Sequence, residues 1–187
     1  MFAQWLIGAI IACSFVAPRH VLIVGDSEAC AVGVVASVIA EKNGDSVEVE
    51  CKPGSKVEHW SDAGNFRAAL SRHPTADTVL VFLGTNNFWY REVPNVAPIL
   101  DAIKDAGLSC VWVGPTSVHG KSWRVNDLLR INTVPTCVYY DTESAGVPLV
   151  DGVHPNAAAA KRWLQDVWRM IPLKYEEQDD EQRRTDE

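Results

Sequence analysis

Short apolar runs alternate along the chain with longer segments in which apolar residues recur at helical spacing. Most of the short runs are unbroken rather than alternating, which is typical of β-strands that are covered on both faces. They predict strands over residues 21–24, 47–51, 79–83, 110–113 and 137–140. The helical patterns between and after them predict helices over residues 28–42, 56–72, 95–106, 122–132 and 156–170.

Strands that alternate with helices imply a parallel sheet with right-handed crossovers. The predicted fold is therefore α/β: a three-layer α/β/α sandwich with a five-stranded parallel sheet. In such sheets, ligands bind at the carboxyl ends of the strands, near the point where the strand order reverses. The residues that follow each strand are therefore the first place to look for chemistry.

Length and composition limit the number of domains, and the net charge limits the kinds of partner. The chain has 187 residues, 47% of them hydrophobic and 22% charged, which suits one globular domain over residues 18–174. The net charge is −7, of which residues 175–187 contribute −5. Without a basic stripe to neutralise phosphates, we expect no nucleic-acid partner. The acidic tail over residues 175–187 has little to bury, and we expect it to be solvated.

The N-terminal residues 1–17 form an almost purely apolar segment without a charged side chain. It is short for a membrane-spanning helix and better resembles the apolar region of a signal peptide, although no Lys or Arg precedes it. Residues 10–13 also resemble a lipoprotein cleavage box, with Cys13 as the lipidated residue. An uncleaved anchor and a buried extra helix stay open. We expect export, as a secreted, periplasmic or membrane-anchored protein, with the cytoplasm as the alternative and membrane association only through this segment.

Five cysteines bear on the compartment as well. Without Cys13 four remain, an even number that is compatible with two disulfides outside the cytoplasm. Isolated cysteines at strand starts are more often small buried apolar residues, and we take that as the expectation. No Cys-x-x-Cys pair is present, so we expect no structural zinc site. The four are Cys30, Cys51, Cys110 and Cys137.

Three of the predicted strands are followed by residues suited to nucleophilic catalysis. Gly25, Asp26 and Ser27 follow the first strand, and Ser27 falls at the start of a helix, where it could also be no more than a helix cap. Gly54 follows the second strand and could present a bare backbone N–H group. Asn86 follows the third strand and brings a side-chain amide to the same edge.

An aspartate and a histidine three residues apart precede the last predicted helix. Asp151 can hold one imidazole nitrogen of His154 and leave the other free to act as a base. Metal ligation by His154 is the competing use, but no further His or Cys clusters beside it, and we expect no metal. No Gly-x-Gly-x-x-Gly motif follows the first strand, and we expect no cofactor.

Taken in order, these motifs resemble those of the SGNH (GDSL-type) hydrolase family over about residues 20–170. The resemblance rests on Gly25-Asp26-Ser27, on Gly54, on Gly84-Thr85-Asn86, and on Asp151 with His154. It implies a flavodoxin-like sandwich with Ser27 as the nucleophile. Glu28 and Asn87 depart from the residues that often occupy these positions in the family, and we expect neither to take part in the chemistry.

The resemblance also implies a mechanism. His154 would take the proton of Ser27, and Asp151 would orient the imidazole. The backbone N–H groups of Ser27 and Gly54, with the side-chain amide of Asn86, would form the oxyanion hole. His119 is a competing base, but it has no acid near it in the sequence.

The substrate is less well defined by the sequence. Phe88, Trp89 and Tyr90 directly follow the asparagine block and are candidate substrate contacts. The loops are short, which favours small acyl groups on an accessible carrier over a lipid in a deep tunnel. We expect a serine esterase for a small acyl ester or an acetylated glycan of the envelope or extracellular space. A short-chain lipase or thioesterase, an acyltransferase and a non-catalytic carbohydrate-binding module are the alternatives.

Overall fold

The computed structural model describes residues 17–62, 64–87, 94–118, 124–134 and 136–172. Five parallel strands form one sheet in the order β2-β1-β3-β4-β5. This order reverses between β1 and β3, as in other doubly wound sheets. The strands are β1 (His20–Gly25), β2 (Ser46–Cys51), β3 (Thr78–Phe82), β4 (Ser109–Val113) and β5 (Val138–Tyr140).

Helices connect the strands. Helix α1 (Ser27–Lys42) follows β1, and the last helix, α7, spans Ala157–Arg169. The others are α2 (Val57–Ser61), α3 (Asn65–Arg72), α4 (Ala97–Asp105), α5 (Arg124–Thr133) and α6 (Thr142–Ala145), with a short 3-10 helix at Thr85–Asn87. Within the described residues, no helix is both long enough and apolar enough to span a bilayer.

The central strands β1, β3 and β4 are buried on both faces, as their unbroken apolar runs predicted. Leu22 and Val24 of β1 pack with residues of α2, α3, α4 and α5. Val21 and Ile23 point to the opposite face and pack with residues of α1 and α7. The predicted three-layer α/β/α sandwich with a five-stranded parallel sheet is therefore confirmed.

The helix predicted over residues 56–72 is wrong in one respect, because it is two helices. Gly64 lies between α2 and α3 with a φ of +65°, a left-handed conformation that interrupts a helix. The apolar spacing continues across the break, since Trp60 and Phe66 are both buried on the same face of the sheet. The sequence pattern therefore identified the buried face but missed the turn within it.

The expectation that the cysteines stay unpaired is wrong. Cys30 of α1 is bonded to Cys51 at the end of β2, and Cys110 of β4 is bonded to Cys137 just before β5. Each bond joins elements that adjacent strands bring together, although 21 and 27 residues separate the partners in the chain. Two disulfides are compatible with an exported protein. The apolar segment and the acidic tail lie outside the described residues, apart from Ala17.

Gly25 is required by the close approach of two strands. A Cβ atom at this position would collide with the backbone carbonyl of Phe82 on β3. The next residue, Asp26, donates its backbone N–H to that same carbonyl at 3.0 Å. The end of β1 is thereby fixed against β3 at the point where the strand order reverses, directly before Ser27.

Candidate active site

Ser27 is the first residue of helix α1, directly after the end of β1. The helix cap is Asp26 rather than Ser27, because the Asp26 carboxylate accepts the backbone N–H of Glu28 at 2.9 Å. The Ser27 hydroxyl is therefore not needed as a cap. Its backbone N–H belongs to the first turn, where N–H groups have no acceptor within the helix.

His154 is held by a tight loop between α6 and α7. The Oδ1 atom of Asp151 accepts the backbone N–H groups of Val153 at 2.9 Å and His154 at 2.6 Å. The backbone N–H of Val150 donates to the carbonyl of His154 at 2.8 Å, which closes the loop. Asn156 then caps α7 through the N–H of Ala159, as the sequence predicted. The backbone of His154 is thus held at both its N–H and its carbonyl, which fixes the point from which the imidazole extends.

The structure brings Ser27, His154 and Asp151 into one chain of hydrogen bonds. Nδ1 of His154 lies 2.8 Å from Oδ2 of Asp151, and Nε2 lies 2.9 Å from Oγ of Ser27. Because a carboxylate only accepts, the neutral ring carries its hydrogen on Nδ1 and leaves Nε2 as an acceptor for the serine hydroxyl. The hydrogen bonds from the ring and backbone of His154, and from the backbone of Val153, lower the pKa of Asp151 well below its usual range.

Gly54 and Asn86 reach the same edge of the sheet from β2 and β3. Gly54 is the exposed third residue of a turn that the backbone N–H of Ser55 closes on the carbonyl of Lys52. Its φ of +72° is a conformation that glycine adopts without strain. Asn86 lies in the 3-10 helix after β3 and is partly buried.

Both hydrogens of the Asn86 side-chain amide have protein acceptors. Nδ2 donates to the carbonyl of Ser55 at 2.9 Å and to Oδ2 of Asp26 at 3.2 Å. Since both neighbours are acceptors, the amide can only be oriented with its nitrogen toward them. Asn86 thus links the Gly54 turn to the segment that carries Ser27.

Two acidic side chains flank Ser27 in the interior. Both Asp26 and Glu28 are fully buried, each with 0% exposure. Burial raises the pKa of Asp26 well above its usual range, and the charge of Glu28 raises it further. Burial likewise raises the pKa of Glu28 to about 7, against an opposing contribution from its hydrogen bond with Thr116.

Sequence reasoning missed the partners of Glu28 and Asn87. The Thr116 hydroxyl, after β4, lies 2.7 Å from Oε1 of Glu28 and 3.1 Å from the backbone carbonyl of Val153. Asn87 accepts the N–H of Val57 and donates to the carboxylate of Glu58. For the contacts of Glu28 with Thr116, the one signal in the sequence was an acidic residue on the buried side of helix α1.

A cleft borders the Gly54 turn. It is lined by Lys52, Pro53, Gly54, Ser55, Lys56, Glu58 and His59. The candidate substrate contacts Phe88, Trp89 and Tyr90, and the competing base His119, lie outside the described residues. Among the residues that are described, no group of three or more His, Cys, Asp and Glu side chains is placed to hold a metal ion.

Comparison with known proteins identifies the fold. No family model and no curated protein sequence matches the chain. Among solved structures, a lipase/acylhydrolase from Enterococcus faecalis matches with a TM-score of 0.64 and 14% identity, over 83% of this chain and 98% of that one. A protein described as a GDSL-like lipase, from Parabacteroides merdae, matches with a TM-score of 0.61 and 13% identity, over 81% and 99%.

A third similar structure is the catalytic domain of peptidoglycan O-acetyltransferase A from Streptococcus pneumoniae. It matches with a TM-score of 0.52 and 18% identity, over 86% of this chain and 99% of that domain. The chain therefore has the SGNH (GDSL-type) hydrolase fold that its motifs predicted.

Proposed function

We propose that the protein is a serine esterase that hydrolyses small acyl esters through an acyl-enzyme on Ser27. The observation that carries the proposal is the chain of contacts from Ser27 through His154 to Asp151, at 2.9 and 2.8 Å. A hydroxyl, an imidazole and a carboxylate in this order are the parts that an activated serine nucleophile needs. The fold and its similarity to lipases and acylhydrolases support the same reaction class.

In the first half of the reaction, Nε2 of His154 takes the proton of Ser27 as Oγ attacks the ester carbonyl. The imidazolium that forms is stabilised by Asp151, whose lowered pKa keeps it charged. His154 then returns the proton to the leaving alcohol as the ester bond breaks. In the second half, His154 activates water, which attacks the acyl-enzyme and releases the carboxylic acid and free Ser27.

The developing oxyanion needs donors at the same edge of the sheet. We assign this role to the backbone N–H groups of Ser27 and Gly54 and to the side-chain amide of Asn86. Each such donor is worth about 2.7–4 kcal/mol in the transition state. The three come from the segments after β1, β2 and β3, which the bonds of Asn86 tie together.

Charged residues, Lys52, Lys56 and Glu58, line the cleft beside Gly54 and favour a small acyl group on a polar carrier. We therefore propose acetyl esters of an envelope or extracellular glycan as the substrate class. Similarity to a peptidoglycan O-acetyltransferase domain agrees with acetyl chemistry on a glycan. It also makes acyl transfer to a second hydroxyl the main alternative, because the same acyl-enzyme would serve either acceptor. In this proposal Phe88, Trp89 and Tyr90 contact the carrier.

The test compares Ser27→Ala with Ser37→Ala, which changes an exposed serine of the same helix. We expect Ser27→Ala to abolish turnover of a chromogenic acetyl ester and labelling by a fluorophosphonate probe. Ser37→Ala should retain both. Circular dichroism should show the same fold in all three proteins. Turnover by folded Ser27→Ala would refute the assignment.

A substrate panel separates the alternatives. Esters from acetyl to long acyl chains and acetylated glycans are offered with and without an alcohol acceptor. Free acetate as the product indicates hydrolysis, and an acetylated acceptor indicates transfer. A preference for longer chains or thioesters would favour a short-chain lipase or thioesterase. Glycan binding without labelling of Ser27 would favour a non-catalytic module.

A further inference from the structure

A fully buried acid lies next to the proposed nucleophile, and nothing in the mechanism above uses it. Glu28 follows Ser27 in helix α1 and is 0% exposed. Its Oε2 atom makes no hydrogen bond among the described residues. A buried carboxylate without cationic or multiple N–H partners is costly, so a neutral carboxylic acid is the favoured form.

The hydrogen-bond partners of Thr116 indicate which oxygen of Glu28 carries the carboxyl proton. The Thr116 hydroxyl has one hydrogen, yet its oxygen lies 2.7 Å from Oε1 of Glu28 and 3.1 Å from the carbonyl oxygen of Val153. If Glu28 were ionised, that one hydrogen would have to serve two acceptors. With a proton on Oε1, Glu28 donates to Thr116, and Thr116 donates to Val153.

We propose that neutral Glu28 is a positioning residue that holds His154 against Ser27 through Thr116 and the Val153 carbonyl. The Val153 carbonyl and the His154 N–H belong to one peptide group, and that N–H is already fixed by Asp151 at 2.6 Å. The relay adds a restraint at the carbonyl end of the same peptide group. The relay runs from Glu28, the residue after Ser27, to Val153, the residue before His154. It therefore links the two segments that carry the proposed nucleophile and its base.

The other groups that face Glu28 are consistent with this proton position. Burial raises the pKa of both Glu28 and Asp26, and the nearby His154 and the Thr85 hydroxyl lower that of Glu28. Asp26 receives the N–H of Glu28 and the amide of Asn86, which favour its charged form. Glu28 is approached by the hydroxyls of Thr116 and Thr85 and by the Thr116 N–H at 3.4 Å. Because a hydroxyl can accept a hydrogen bond from a carboxylic acid and an N–H group cannot, we place the proton of the pair on Glu28.

Loss of that proton would break the relay. Ionised Glu28 would take the Thr116 hydrogen and leave the Val153 carbonyl facing a lone pair, so the histidine loop would lose its restraint. Because the pKa of Glu28 is raised to about 7, the neutral form prevails below that pH and is lost as the pH rises through it. This inference rests on the proposed esterase function.

The first test is the pH profile of kcat/KM for an acetyl ester in the wild type and in Glu28→Gln. The glutamine amide is neutral at every pH and can still donate to Thr116. We expect kcat/KM of the wild type to fall about threefold to fourfold between pH 7 and pH 8.5, while Glu28→Gln is active and changes less than about twofold. Profiles that fall together, or a wild-type profile that does not fall, would overturn the proposal.

Thr116 provides a second pair of variants in case Glu28→Gln does not fold. Thr116→Val keeps the shape and removes the hydroxyl, whereas Thr116→Ser keeps the hydroxyl. We expect Thr116→Val to lower kcat about fivefold to tenfold, with little change in KM, and to lose the fall above pH 7. Thr116→Ser should keep the wild-type profile. A wild-type profile in folded Thr116→Val would contradict the relay.

Labelling separates failure of this inference from failure of the proposed function. A wild-type protein that neither hydrolyses esters nor reacts with a fluorophosphonate at Ser27 would remove the esterase proposal itself. A protein that labels at Ser27 and hydrolyses esters, but whose pH profile is unchanged in Glu28→Gln, would remove only the role of Glu28.

Discussion

At the scale of single residues, Asn86 has two tasks that compete for the same amide. In the structure its hydrogens are taken by Ser55 and Asp26, and the contact with Asp26 is the longer, at 3.2 Å against 2.9 Å. An oxyanion that forms on the substrate would be a better acceptor than a buried carboxylate with other donors. We infer that the hydrogen directed to Asp26 is shared with the oxyanion as charge develops, while the bond to Ser55 holds the amide in place.

This view predicts the kinetics of Asn86→Ala. Because the new bond forms only as the oxyanion develops, kcat should fall by about 10² to 10³ and KM should change little. Initial rates over a range of acetyl-ester concentrations measure both constants. Asn132→Ala, at an exposed position of α5, is the control and should match the wild type. A change confined to KM would instead make Asn86 a substrate-binding residue.

The sequence allowed some of these residues to be predicted and concealed others. Ser27 and Asn86 could be found because each follows an apolar strand, and the carboxyl ends of parallel strands share one edge of the sheet. The partner of Glu28 could not be found, because Thr116 lies 88 residues away and faces it only after β4 is placed in the sheet. The catalytic roles of Ser27, Asp151, His154, Gly54 and Asn86 stay predictions until the variants are measured.

At the scale of elements, the Cys30–Cys51 disulfide is close to the site. Cys30 lies three residues after Ser27 in α1, and Cys51 ends β2 directly before the turn that carries Gly54. The bond therefore ties together the segments of two proposed oxyanion donors. Cys110–Cys137 closes a loop of similar length but begins near the start of β4, at the opposite end of the strand from the site.

The two disulfides therefore predict different effects on activity. Replacing either pair with alanines should cost about 3 kcal/mol of unfolding free energy and lower Tm by about 6–12 °C. Only Cys30→Ala with Cys51→Ala should also lower kcat, because of the two disulfides only that one restrains Ser27 relative to Gly54. Calorimetry and acetyl-ester kinetics of the two double variants test this. Equal kcat in both would show that the bond is structural alone.

The strands and helices also show which features a hydrophobic pattern can predict and which it cannot. Unbroken apolar runs identified four of the strands, since burial on both faces leaves no polar positions to interrupt them. The strand β2, at the edge of the sheet, instead alternates Val and Glu and is only partly buried. The break between α2 and α3 was missed because a left-handed glycine interrupts the backbone without changing the buried face. The disulfide pairing was missed because the partner of each cysteine depends on which strands are neighbours, which local spacing does not specify.

At the scale of the whole molecule, a buried ion pair joins the sheet to its last helix at the edge opposite the site. Asp45, before β2, accepts hydrogen bonds from the backbone and guanidinium of Arg19, before β1, and from the indole of Trp168 in α7. The two charged side chains are only 8% and 2% exposed. Removing one partner would leave the other charge buried and uncompensated.

This ion pair predicts how stability responds to acid. Although burial raises the pKa of Asp45, the hydrogen bonds from Arg19 and Trp168 and the Arg19 charge outweigh it, so the folded-state pKa is lowered. The stabilisation is therefore complete above the unfolded pKa of about 3.9 and is lost as pH falls through the folded value. Asp45→Asn should cost about 3–5 kcal/mol at pH 7 in urea unfolding, and the difference from the wild type should shrink below pH 4.

Asp166→Asn is the matched control for Asp45→Asn, because the Asp166–Arg169 pair in α7 is exposed. An exposed pair of this kind contributes about 0–1 kcal/mol, so its loss should change stability little at either pH. Equal effects of the two substitutions at pH 7 would mean that Asp45 does not join the sheet to α7 in the way its contacts indicate. If Asp45→Asn lowered the free energy of unfolding equally at both pH values, Asp45 would stabilise the fold through its packing and not through its charge.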